Sequence, residues 1–69
     1  MNYFIVIDSA MGVSTSFELY SRIRPFGANL TEAITRVYIY GVADRVRLGL
    51  ILNEIKRAGF VPVLERGQL

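Results

Sequence analysis

The stretch Ala43–Ala58 constrains the fold more than any other part of the chain, because it reads as a helix bracketed by strands. At about 100° per residue, Leu48, Ile51, Leu52 and Ile55 fall within one stripe of roughly 100°, the width that a core-facing surface helix needs. Asp44 stands near the start, where backbone N–H groups lack partners. Lys56 and Arg57 occupy the last turn, and Gly59 follows, free to take the left-handed conformation that ends helices. Gly49 is the weak point, costing up to about 1 kcal/mol against alanine. The runs Arg36–Tyr40 and Phe60–Leu64 read as strands on either side. A right-handed crossover between them predicts a parallel β-α-β unit. Pro62 removes a ladder donor, so the second of these strands is expected at an edge.

The remaining residues must complete that unit's core. Tyr3–Ile7 is an unbroken apolar run, which predicts a strand covered on both faces. Ala10–Gly12 reads as a turn. From there Val13, Thr15, Phe17, Leu19 and Ile23 alternate with Ser14, Ser16, Glu18, Tyr20, Arg22 and Arg24. Period two predicts a second strand, paired with the first as a hairpin. A helix competes for the same residues: Thr15 and Glu18 form a capping box, and Phe17 with Tyr20 and Leu19 with Ile23 have helical spacing. Alternation accounts for more positions, so the strand is the expectation. Pro25–Asn29 is a loop carrying Phe26. Leu30–Ile34 is either one helical turn capped by Asn29 or the start of the strand through Thr35–Tyr40. The expected fold is α+β: residues 1–69 as one domain, a small four-stranded mixed sheet in the order β-β-β-α-β, and one main amphipathic helix packed on one face.

The residue types narrow the chemistry. The sequence has no histidine and no cysteine, which removes the commonest general base, the commonest nucleophile and most zinc sites. Asp8, Glu18, Glu32, Asp44, Glu54 and Glu65 are scattered, and Ser9, Ser14, Thr15 and Ser16 have no base beside them. A non-enzymatic protein without cofactor or metal is therefore expected. An enzyme would need a subunit interface to complete a site at Asp8. No apolar run reaches the length of a membrane span, and Asp8 interrupts the only secretory-like start, so a cytoplasmic location without membrane contact is expected.

Two surfaces are candidates for binding. If the helix covers one side of the sheet, the other carries Tyr20, Arg22, Arg24, Arg36, Tyr38 and Tyr40, and tyrosine and arginine are enriched together at interfaces. On the back of the helix, Val46, Leu50, Asn53 and Arg57 form a second stripe, candidate for an oligomer interface. With 69 residues, 52% of them hydrophobic, the chain is near the lower size limit for folding alone. Association with itself is the leading expectation: a protein-binding or regulatory module acting as a homodimer or higher oligomer, with another protein as a further partner. The alternative is nucleic-acid binding by the Tyr/Arg face. Seven of the eight basic residues are arginine, yet the net charge is only +2, and the sequence lacks the recognisable RNA-binding signature runs.

Overall fold

The structure is a computed structural model and describes residues 2–67. The chain runs β1 (Tyr3–Ile7), α1 (Val13–Ile23), a short 3-10 turn (Arg24–Phe26), β2 (Asn29–Glu32), β3 (Val37–Val42), α2 (Arg45–Arg57) and β4 (Leu64–Gly67). Three antiparallel strands, in the order β2-β3-β1, form the body of the sheet. The short β4 ladders antiparallel onto the remaining edge of β1. The connectivity is the split β-α-β plan, in which β3 inserts between β1 and β2.

This overturns the expected mixed sheet with one helix. Of the expected strands, only Tyr3–Ile7 and the run ending at Tyr40 stand where the sequence placed them. Val13–Ile23 is a helix. Phe60–Leu64 is not a strand beside β3; β4 starts at Leu64 and runs in the direction of β3, but β1 lies between them and pairs antiparallel with both. The sheet is antiparallel throughout, and two helices rather than one pack against it.

Each correction has a physical cause. In α1 the buried residues are Ser16, Leu19 and Ile23, at helical spacing, whereas Phe17, inward in the strand reading, is 68% exposed. The expected capping box is not used. Gly12 is the N-cap, at φ 82° and without a capping side chain of its own. Glu32 on β2 supplies the cap instead: its carboxylate accepts the Gly12 N–H at 2.9 Å and the Ser16 hydroxyl at 3.1 Å. The first turn of α1 thus takes its anion from a strand remote in sequence.

Helix α2 is built as its local signals require. Asp44 caps it, Oδ1 accepting the Arg47 N–H at 2.9 Å. At the other end the Phe60 N–H donates to the Ile55 carbonyl and the Gly59 N–H to that of Lys56, with Gly59 at φ 89°. That is the Schellman arrangement, and Phe60 packs on the core beside Ile55. Ile51 and Ile55 are fully buried, and Leu48 and Leu52 flank them. Gly41 lies within β3 at φ 78°. The ladder shifts there, Ile5 facing Ile39 but Tyr3 facing Val42. This extra residue is a bulge that returns Val42, rather than Gly41, to the core side.

The core lies between the helices and one sheet face: Ile5, Ile7, Leu19, Ile23, Ala28, Val37, Ile39, Val42, Ile51 and Ile55. Both helices cover that face, which leaves the other open.

Candidate functional site

The open face follows from strand parity. Ile5 and Ile7 on β1, and Val37 and Ile39 on β3, point into the core, so Phe4, Val6 and Asp8, with Arg36, Tyr38 and Tyr40, take the opposite side. The register sets them in rows. Val6 pairs with Tyr38, and Asp8 and Arg36 meet just beyond the Ile7–Val37 pair. On β2, Thr31 pairs with Tyr38 and Asn29 with Tyr40.

Phe4 and Tyr38, both half-buried, lie stacked with ring centroids 5.8 Å apart and planes inclined by 25°. Tyr40 is 42% exposed, with its hydroxyl 3.5 Å from Thr31 Oγ1. Val6, on the same side, is only 6% exposed and lies outside the core cluster. Two adjacent central strands therefore carry three aromatic rings on the side away from the helices, Tyr40 exposed and Phe4 and Tyr38 half-buried.

Arg36 closes this surface at one end. Its Nε donates to Asp8 Oδ1 at 3.1 Å, while both side chains remain about half exposed, at 53% and 50%. Asp8 first, and Tyr38 after it, raise the Arg36 pKa above the ordinary guanidinium value. The group stays cationic wherever the protein is folded.

The six residues expected to share the Tyr/Arg face divide. Arg36, Tyr38 and Tyr40 are on it. Tyr20 and Arg22 belong to α1 and Arg24 to the following turn, on the helical side of the molecule. Arg22 bridges Glu18 and Glu54 at 3.7 Å each, tying α1 to α2. Phe4 was not among the expected residues, because its unbroken apolar run concealed which side each residue takes. The second candidate stripe does share one surface. Val46 is 74% and Leu50 42% exposed, with exposed Asn53 and Arg57 beside them, and Arg57 reaches Glu54 at 3.6 Å.

Asp8, the one position weighed for catalysis, has Arg36 as its partner. Among the described residues, no three histidine, cysteine, aspartate or glutamate side chains come together as a metal would require. No helix among them is long and apolar enough to cross a membrane. Comparison with protein-family models, curated proteins and solved structures found no match to this chain.

Proposed function

We propose that the chain binds single-stranded nucleic acid on the open face of its sheet. The observation that carries this reading is the aromatic track of Phe4, Tyr38 and Tyr40 on adjacent strands β1 and β3, with Arg36 at its end. Flat rings on an open sheet accept unstacked bases, and four-stranded RNA-binding sheets stack two or three bases in this manner. Arg36, just before β3, and the outward Tyr38 and Tyr40 match the basic position and the first two aromatic positions of the known signature run, while Val37, Ile39, Gly41 and Ala43 depart from it. Each stacked base contributes about 1–3 kcal/mol. Stacking on the rings supplies most of the affinity, and dissociation constants on the order of 10–100 µM follow. A cytoplasmic setting belongs to the proposal, since a chain without cysteine needs no oxidising compartment to fold.

An NMR titration with single-stranded RNA and DNA tests it. Amide shifts concentrated on β1 and β3 support the reading, and shifts confined to α2, or none at millimolar strand, contradict it.

A second reading keeps the protein-binding homo-oligomer. It is favoured by Val46 and Leu50, two large apolar side chains exposed on one stripe of α2. It ranks below the first because that stripe ends in polar Asn53 and Arg57, whereas the sheet face combines stacking surface and charge.

A further inference from the structure

Stacking on the aromatic rings leaves one part of the open face unused, the Asp8–Arg36 pair beyond Tyr38. We infer that these two side chains read the edge of the base stacked on Tyr38, and that the base they select is guanine. This deepens the binding reading above and rests on it.

The geometry supplies both halves of a base-edge reader. Arg36 engages Asp8 through Nε alone. Tyr38 is the other polar neighbour of the guanidinium, and among the described residues no hydrogen bond occupies Asp8 Oδ2. A donor fork and an acceptor oxygen therefore lie side by side, half exposed, one step along the sheet from the Tyr38 ring. Residues on one face of a strand are about 6.6–6.8 Å apart, so the polar edge of a base centred on Tyr38 reaches that step.

The two groups favour the same base. Arginine donates best to the guanine O6 and N7 acceptors. An ionised carboxylate only accepts, and guanine alone among the four bases sets two N–H donors side by side, N1–H and N2–H, on its Watson–Crick edge. Adenine, cytosine and uracil each place an acceptor next to any donor there, which the carboxylate repels. The Asp8 charge also opposes phosphate, so it lowers affinity for strands without guanine while improving discrimination.

The test is fluorescence anisotropy with an RNA of about seven uridines, within the usual range of single-strand site sizes, and the same strand with guanine or adenine at its centre. The wild-type chain is expected to prefer the guanine strand on the order of tenfold. Asp8→Ala should lose most of the preference, keeping only the part that Arg36 supplies. Asp8→Asn, which keeps the shape but adds donors, should lose it too. Wild-type affinities within twofold of one another, or a guanine preference retained in full by Asp8→Ala, overturn the inference and leave the binding reading standing. Wild type that binds none of the strands overturns both.

Discussion

The Glu32 carboxylate accepts the backbone N–H of Gly12 at 2.9 Å, across twenty positions of sequence. The same carboxylate takes the Ser16 hydroxyl, whose single proton is shared with the Gly12 carbonyl at 2.9 Å. One side chain on β2 therefore does for α1 what the acidic residue of a capping box does, accepting the N–H of the N-cap residue, and it ties helix and strand together.

Glu32→Ala should destabilise the fold by about 1–2 kcal/mol, the range for losing an N-cap. Chemical denaturation of both proteins checks this. An unchanged midpoint would mean that water replaces the carboxylate at no loss.

Gly49 has the opposite sign. A Cβ built there meets nothing within 4 Å, so no close packing requires glycine. Gly49→Ala should stabilise by up to about 1 kcal/mol, a rise of roughly 4–8 °C in Tm for a domain of this size. A lower Tm on thermal denaturation would contradict the open surroundings.

The legibility of the fold follows the range of its signals. Helix α2 was readable because Asp44, the Leu48–Ile55 stripe and Gly59 all lie within or beside it. Helix α1 was not, since both periods fit its sequence and the deciding partner, Glu32, sits on another element. The edges of β1 are also occupied by β3 and β4, leaving no place for a hairpin with Val13–Ile23. Strand β2 presents only Leu30 to the core and has no alternation to detect. In the candidate site Tyr38 and Tyr40 were found through their alternation in β3. Tyr20, Arg22 and Arg24 were added by the mistaken strand, and Phe4 emerged only once Ile5 and Ile7 fixed the inward side of β1.

Core energetics should separate the two neighbours Ile51 and Leu52. Ile51 is fully buried and Leu52 only partly. Ile51→Ala should cost about 2–5 kcal/mol, enough to unfold much of a small domain, and Leu52→Ala distinctly less. Equal losses in a urea titration would show that the outer edge of the stripe is packed as tightly as its centre.

The exposed stripe on α2 has its own test. If Val46 and Leu50 join two copies, sedimentation velocity over a dilution series shows a dimer that Leu50→Glu converts to monomer. A wild type that is monomeric at about 100 µM, far above the range of most specific dimers, removes the homo-oligomer reading.

Single-strand affinity on the aromatic track is the central claim, and fluorescence anisotropy at several salt concentrations tests it most directly. Wild type should bind a short single strand with a shallow salt dependence, a log–log slope near about −0.7 for each phosphate engaged. Tyr38→Ala and Tyr40→Ala should each weaken it about 5- to 150-fold, the equivalent of one lost stacking partner. Tyr40 is the cleaner probe, because its exposed ring carries little of the fold. Binding that both variants retain at wild-type strength, or no binding by wild type at millimolar strand, would contradict the account.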